Sequence, residues 1–259
     1  MYMKILLSND DGVDASGILA LKQAVEEFGE VYVVAPSNQQ SGIGHALTLY
    51  EPLRINKTRL RDGSPAYSVS GTPTDSVTLG VYEIMDEKPD LVISGINTGQ
   101  NTGKGELTTS GTLGAAMEAA SLGIPAIAVS QHIDKDEVKF DEGAVEIDFS
   151  STQRVVKNLV KKIRDKGMPG DIKLLNLNVP SNPDSYEPVI TGLANRMYLP
   201  GVEKRLDPRG KPYYWITGEL HTDNPVDTDG YILQNKNLPT LTPLSLDMTY
   251  GLDILKDWI

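Results

Sequence analysis

Lys4–Gly12 reads Lys-Ile-Leu-Leu-Ser-Asn-Asp-Asp-Gly, a short apolar run followed at once by a polar turn. The apolar residues 5–7 have no helical period, which predicts a strand buried on both faces. Residues 9–12 have turn chemistry, because Asn and Asp tolerate left-handed backbone and Gly adopts it without strain. In an open parallel sheet, ligands bind beyond the carboxyl ends of the strands. The stretch therefore predicts an α/β fold with a ligand site after its first strand.

Asp10 and Asp11 bring two adjacent carboxylates to that predicted loop. Their charges repel each other, and a hard divalent cation is the simplest way to offset the repulsion. The pair is also compatible with a solvated Asp-Asp turn that binds nothing. The loops after the other predicted strands bear on the choice between these two interpretations.

The composition excludes several classes of protein and site. The 259 residues suit one large α/β domain or such a domain with an appendage. The chain has no Cys and three His, so thiolate chemistry is excluded and a His-rich zinc site is disfavoured. The net charge of −11 disfavours binding to nucleic-acid polymers, which need a basic surface. We find neither a membrane-spanning apolar stretch nor a signal-peptide pattern, and therefore expect a cytoplasmic protein without membrane contact.

The remaining apolar runs predict how the chain is organised. Further buried strands are predicted at 31–35, 90–95, 124–130 and 172–180, with helices between most of them and a hairpin within 53–70. Strand, helix and strand in succession form βαβ units, so we predict a Rossmann-like, doubly wound, mainly parallel sheet over residues 1–180. Residues 181–259 are rich in Pro and clustered aromatics, which predicts an extended C-terminal region with a hairpin, a returning strand and a terminal helix. Such a region has little core of its own, so we expect it to form a homo-oligomer.

Two later loops carry further oxygen donors just past predicted strands. Ser41 lies in the loop 37–45, and Asn97 and Asn101 lie in the loop 96–105. Neither loop fits a standard nucleotide motif, because the first lacks the third Gly of a dinucleotide fingerprint and the second has Gly105 where a P-loop needs Ser or Thr. With Asp10 and Asp11, these groups would form a set of oxygen donors that suits Mg²⁺ or Mn²⁺. Each Asn or Ser taken alone could equally be an ordinary loop residue.

Ser110 begins Ser-Gly-Thr at the start of a predicted helix that is rich in small residues. Ser is a favourable helix cap, so a capping role is expected. The free N–H groups and the dipole of a helix start also favour a phosphate group.

Six groups of residues together resemble the SurE family of survival-protein nucleotidases. They are Asn9–Gly12, Val34–Pro36 with Ser41-Gly42 and Gly44-His45, Ser70–Asp75, Ser94–Asn97 with Gly99, Asn101 and Gly103, Ser110–Thr112, and the C-terminal segments Asp207–Gly210, Tyr213–Trp215 and Asp227–Asp229. The resemblance covers nearly the whole chain. It implies a divalent-metal-dependent phosphatase that acts on nucleoside 5′- and 3′-monophosphates and assembles as a homodimer or homotetramer. It also implies one cation, Mg²⁺ or Mn²⁺, held by Asp10, Asp11, Ser41 and Asn97.

The sequence departs from the family pattern at two places. Many members have an acidic residue and then Tyr or His shortly before Ser-Gly-Thr, whereas this chain reads Lys-Gly-Glu-Leu-Thr-Thr at 104–109. That difference bears on substrate preference. The family segment Gly-Tyr-Val-Ser-Ile-Thr-Pro is replaced by Asn-Leu-Pro-Thr-Leu-Thr-Pro at 237–243, which bears on packing.

The mechanism we hypothesise is metal-assisted hydrolysis of a phosphomonoester. The phosphate oxygens would be held by Asn9, Asn101 and the helix start Ser110, Gly111 and Thr112. Asp10 or Asp11 would take the proton of the attacking water, with Asn9 beside them as the third catalytic residue. Direct attack by a carboxylate is disfavoured because the loop after the first strand lacks the Asp-x-Asp arrangement. The alternative from another class is a non-catalytic sensor that binds nucleoside monophosphates in the same crevice.

Overall fold

The computed structural model of the protein describes residues 2–133 and 147–259, in which a central sheet lies between layers of helices. The strands are β1 Met3–Ser8, β2 Gly29–Pro36, β3 Ile55–Arg59, β4 Pro65–Val69, β5 Leu91–Thr98, β6 Ala126–His132, β7 Leu174–Pro180, β8 Val189–Ile190, β9 Tyr198–Leu206, β10 Pro212–Leu220 and β11 Thr240–Leu244. The helices are α1 Ser16–Val25, α2 Pro73–Leu79, α3 Lys104–Thr109, α4 Gly111–Ser121, α5 Ser150–Lys166, α6 Asp229–Lys236 and α7 Leu252–Trp258.

Nine of the described strands form one sheet in the order β3-β4-β2-β1-β5-β6-β7-β11-β8. The strands β2, β1, β5, β6 and β7 are parallel neighbours, which confirms the predicted α/β fold. The hairpin predicted within 53–70 is the antiparallel pair β3–β4. Because β1 is central, the loops that follow β1, β2 and β5 leave the same edge of the sheet side by side.

Alternation along β1 explains why Ile5, Leu6 and Leu7 are all apolar. Ile5 and Leu7 belong to a core shared with α1 and α5 on one face of the sheet. Leu6 belongs to a second core with residues of α2 and α4 on the other face. Successive side chains of a strand point to opposite faces, so a strand covered on both sides must be apolar throughout.

The C-terminal region divides between the main sheet and a separate hairpin. β11 returns antiparallel to β7 and carries β8 at the edge, so the main sheet continues past the predicted boundary at residue 180. β9 and β10 form a two-stranded sheet of their own, and the terminal helix α7 lies where the sequence predicts it. The short helices α3 and α6 were not predicted. Each has fewer than nine residues and lacks an apolar stripe of helical period, so the sequence pattern gives no signal for them.

Candidate active site

Three segments at the carboxyl ends of the neighbouring strands β1, β2 and β5 contact one another at one edge of the sheet. The backbone N–H of Gln40, after β2, donates to the backbone oxygen of Asp10, after β1, at 2.7 Å. The backbone N–H of Thr98, at the end of β5, donates to Oδ2 of Asp11 at 3.3 Å. The predicted convergence of these segments is therefore present in the fold, with Asp10 bonded to the loop after β2 and Asp11 bonded to the end of β5.

Asn9 closes the first loop from within. Its Nδ2 donates to the backbone oxygen of Gly12 at 2.9 Å, and its Oδ1 accepts from the Gly12 N–H at 3.1 Å. Gly12 has a φ of +99°, a conformation that L side chains rarely adopt. Since Asn9 is fully buried and both ends of its amide bond within the loop, it shapes the turn that presents Asp10 and Asp11. Its contact with a phosphate stays a prediction.

Asp10 is packed against the start of α4. The hydroxyl of Thr112 donates to Oδ1 of Asp10 at 2.5 Å. A Cβ built on Gly111 would lie 2.7 Å from the Cβ of Asp10, so this close approach requires glycine there. The carboxylate pair and the N-terminus of α4 are thus parts of one site, although they are about 100 residues apart along the chain.

Ser110 caps α4 as the sequence predicts. Its Oγ accepts from the backbone N–H of Leu113 at 3.2 Å. The hydroxyl acts as the acceptor in this cap, so its proton remains able to point towards a ligand. The first turn of α4 lies beside Asp10, and the free N–H groups and dipole of a helix start suit an anion.

Asn97 and Ser41 complete the predicted set of oxygen donors. Nδ2 of Asn97 donates to the backbone oxygen of Gly99 at 2.6 Å, a bond that uses the amide's donor group and not its oxygen. Ser41 lies on the exposed loop after Gln40, and its Oγ accepts from Nε2 of Gln39 at 2.9 Å. Ser41 therefore lies in a loop, whereas Asn97, which the sequence assigned to a loop, lies near the end of β5. Each is next to a residue that bonds to Asp10 or Asp11.

The donors suit a hard divalent cation. Two carboxylates, an amide oxygen and a hydroxyl are all oxygen ligands, which Mg²⁺ and Mn²⁺ prefer. Within residues 2–133 and 147–259, no group of three or more His, Cys, Asp or Glu side chains could hold a metal ion. A site made of those residue types alone, as zinc commonly uses, is therefore absent from this part of the chain.

Asn101 is hydrogen-bonded to the neighbouring strands β6 and β7. Its Nδ2 donates to Oγ of Ser130 on β6 at 2.8 Å, and its backbone N–H donates to Oδ1 of Asn178 on β7 at 2.7 Å. Nδ2 of Asn176 donates to the backbone oxygen of Asn101 at 2.8 Å. These bonds anchor the loop after β5 to the sheet. The predicted contact between Asn101 and a phosphate stays a prediction.

Two acidic residues accept backbone hydrogen bonds in this loop or next to it, and sequence reasoning gave them no role. Oδ2 of Asp229 accepts from the Gly103 N–H at 3.0 Å, while its Oδ1 accepts from the N–H groups of Ala194 and Gly230 at 2.7 and 2.8 Å. Oε2 of Glu106 accepts from the Met197 N–H at 3.1 Å. Burial raises the pKa of both carboxyl groups.

The available sequence signal for Asp229 was the motif Asp227–Asp229, which gives no indication of a partner 126 residues away. The signal for Glu106 was its position shortly before Ser-Gly-Thr. Both carboxylates accept from backbone N–H groups. Every residue type except Pro has such a group, so the sequence does not reveal which residues are the partners.

Comparison with known proteins gives one consistent result. Residues 5–199 match the family model described as survival protein SurE. A protein of Methanobrevibacter smithii named 5′-nucleotidase SurE is 58% identical over 257 residues, covering 99% of this chain and 100% of that protein. A protein of the same name from Methanothermobacter thermautotrophicus is 55% identical over 241 residues, covering 93% and 90%.

The fold is also similar to a solved structure. The crystal structure of the SurE protein from Aquifex aeolicus superposes with a TM-score of 0.77 at 38% identity and covers 98% of this chain and 97% of that one. Separately, no helix in the described ranges is long and apolar enough to cross a membrane.

Proposed function

The chain belongs to the SurE family, and from this premise we propose that it is a 5′-nucleotidase that hydrolyses nucleoside 5′-monophosphates, and also 3′-monophosphates, to nucleoside and phosphate. The observation that carries the proposal is the contact of Thr112 with Asp10, because it joins an anion-binding helix start to a carboxylate pair. A phosphomonoester needs both features, one to hold its oxygens and one to activate water.

The proposed cofactor is one divalent cation per subunit, Mg²⁺ or Mn²⁺, held by Asp10, Asp11, Ser41 and Asn97. What supports it is the all-oxygen donor set on converging loops. When bound, such an ion supplies Lewis-acid polarisation of a phosphate oxygen and a water molecule of lowered pKa.

The chain's own residues supply position and proton transfer. The N–H groups at the start of α4, with the hydroxyl of Ser110, bind phosphate oxygens and bring the phosphorus beside Asp10. Thr112 donates to Oδ1 of Asp10 and so holds this carboxylate in place. A carboxylate of Asp10 or Asp11 accepts the proton of the attacking water. Asn9 keeps the turn rigid so that both carboxylates retain this placement.

The proposed assembly is a homodimer or homotetramer built through the β9–β10 hairpin. Ile216 pairs with Val202 across the hairpin, and the two side chains are 90% and 69% exposed. By strand alternation, their face also carries Lys204, Leu206, Tyr214 and Leu220, and the opposite face carries Leu199, Tyr213 and Trp215 beside Glu203, Arg205 and Glu219. An exposed arm with apolar side chains on both faces is expected to pack against a second copy. The cytoplasmic location stays a prediction from the sequence.

Phosphate release from a panel of substrates tests the activity. Purified protein with Mg²⁺ or Mn²⁺ is offered nucleoside 5′-monophosphates, the matching 3′-monophosphates and a nucleoside 5′-diphosphate. We expect release of inorganic phosphate from the 5′-monophosphates. We also expect release from the 3′-monophosphates, at a rate equal to or lower than that from the 5′-monophosphates. Release from none of the monophosphates with any divalent ion would contradict the proposal.

A further inference from the structure

Ile43 is a partly exposed apolar side chain beside the phosphate cradle, the name used here for the proposed phosphate site formed by Ser110, Gly111 and Thr112 at the start of α4. It is 37% exposed. A Cβ built on Gly111 would lie 3.1 Å from Cγ2 of Ile43 and 2.7 Å from the Cβ of Asp10. Ile43 therefore lies against the first residue of α4, on the side where the carboxylate pair lies. No part of the mechanism above uses this side chain.

The backbone on both sides fixes Ile43 at this place. Gly42 and Gly44 flank it with φ angles of +76° and +64°. The Gly44 N–H donates to the backbone oxygen of Thr109 at 2.9 Å, which ties the loop to the end of α3. A Cβ built on Gly114 would lie 2.4 Å from the Gly44 oxygen, so the loop also rests directly on α4. Scattered apolar residues on a surface are common, but this one is held rigidly at the mouth of a site.

We propose that Ile43 is a specificity-determining residue that contacts the nucleoside part of the substrate, an inference that rests on the proposed nucleotidase function. With the phosphate at the start of α4, the attached sugar and base lie within reach of the side chain next to Gly111. A nucleoside that covers Ile43 removes apolar surface from water. A small phosphomonoester without a base uses the same cradle and leaves Ile43 exposed. The contact therefore favours nucleotides over small phosphate esters through binding of the non-reacting part.

The test compares two substrates and one ligand in Ile43→Ala and wild type. We expect kcat/KM for adenosine 5′-monophosphate to fall about tenfold, as for a lost apolar contact in a binding pocket. For glycerol phosphate, kcat/KM should change by less than about twofold, since no apolar contact is lost. The dissociation constant of adenosine, measured by calorimetry, should rise by about the same tenfold factor. Ile43→Leu should keep most of the preference.

Leu49→Ala is the matched control, because Leu49 is an exposed apolar residue of the same loop and should leave both substrates unaffected. Equal losses for both substrates in Ile43→Ala would overturn the proposal and assign Ile43 to the shape of the cradle. Unchanged adenosine binding would overturn it as well. A wild-type protein that hydrolyses neither ester would overturn the nucleotidase function instead, and the adenosine titration would then decide the role of Ile43 by itself.

Discussion

At the scale of single residues, Asp11 is the group whose charge the proposed site needs most directly. Asp11→Asn removes one negative charge at nearly constant size. Groups that merely orient metal ligands contribute about 10- to 100-fold to affinity or activity, so loss of a ligand's charge should lower kcat/KM by at least about 100-fold. Steady-state kinetics at saturating Mn²⁺ measure the loss, and the thermal melt checks that the fold is intact.

Asp14→Asn is the control for this change, because Asp14 is an exposed Asp just after the same turn. It should behave like wild type. If Asp11→Asn hydrolysed nucleotide as fast as Asp14→Asn, the cation site would have to lie elsewhere.

Ser110 has a capping role and a proposed substrate role, and these can be separated. Ser110→Ala removes the acceptor for the Leu113 N–H and should lower the free energy of unfolding by about 1 kcal/mol. If the hydroxyl also donates to the phosphate, KM for nucleotide should rise several-fold. Ser121→Ala, at the other end of α4, is the control for a change in helix stability. A lower melting temperature with wild-type kinetics would reject the substrate contact and leave only the cap.

Asn9 and Asn101 show what residue types alone can predict about a site. Both were predicted to hold phosphate because polar side chains follow strand ends. The structure places both in the crevice region, but bonds Asn9 within its own turn and Asn101 to β6 and β7. Sequence position indicates which residues meet at the crevice. Sequence position does not indicate which of these side chains are already hydrogen-bonded to neighbouring protein groups, because such bonds depend on pairings across the sheet.

At the scale of elements, the tie between Asp229 and the loop after β5 gives a sharp prediction. Oδ1 accepts two N–H groups and Oδ2 accepts only that of Gly103. In Asp229→Asn, the amide oxygen should keep the two bonds and its NH₂ group should face the Gly103 N–H. One buried bond is then lost, at a cost of about 1–3 kcal/mol.

Hydrogen exchange locates this effect. The Gly103 amide should exchange faster in Asp229→Asn while the Ala194 amide stays protected, and kcat/KM should fall because the loop carries Asn101 and directly follows the strand end with Asn97. Asp227→Asn, at an exposed position two residues earlier, should change neither amide. Unchanged protection of Gly103 in Asp229→Asn would mean that the carboxylate does not hold the loop.

The parallel strands were predictable because their information is local. Residues 5–7 and 124–130 are apolar runs that no amphipathic helix would contain, and Asp62-Gly63 indicates a hairpin turn within a few residues. The antiparallel return of β11 onto β7 and the bond from Asp229 to Gly103 join distant segments. Such contacts depend on which surfaces remain uncovered after the sheet has formed, and single-sequence patterns do not encode that.

At the scale of the whole molecule, the exposed hairpin predicts an assembly that one charge can disrupt. Ile216→Asp places a carboxylate between the exposed apolar side chains of the hairpin, where a partner subunit would have to desolvate it. Light scattering at micromolar concentration should then give the mass of one chain, 28.2 kDa, instead of a multiple of it. Asn56→Asp, at an exposed position of β3 outside the hairpin, adds the same charge and should stay assembled. A wild-type protein that is monomeric would exclude the proposed assembly.

The central claim is that this molecule hydrolyses nucleotide with a divalent cation held at Asp10 and Asp11. The most direct test follows binding and hydrolysis of adenosine 5′-monophosphate in one sample, before chelation, after chelation, and after Mg²⁺ or Mn²⁺ is restored. We predict that phosphate release stops with the chelator, returns with the ion, and does not return in Asp11→Asn. Hydrolysis at an undiminished rate in the presence of chelator would contradict the claim. Nucleotide binding that survives chelation, with no hydrolysis under any condition, would contradict it as well, because that is the behaviour of a sensor.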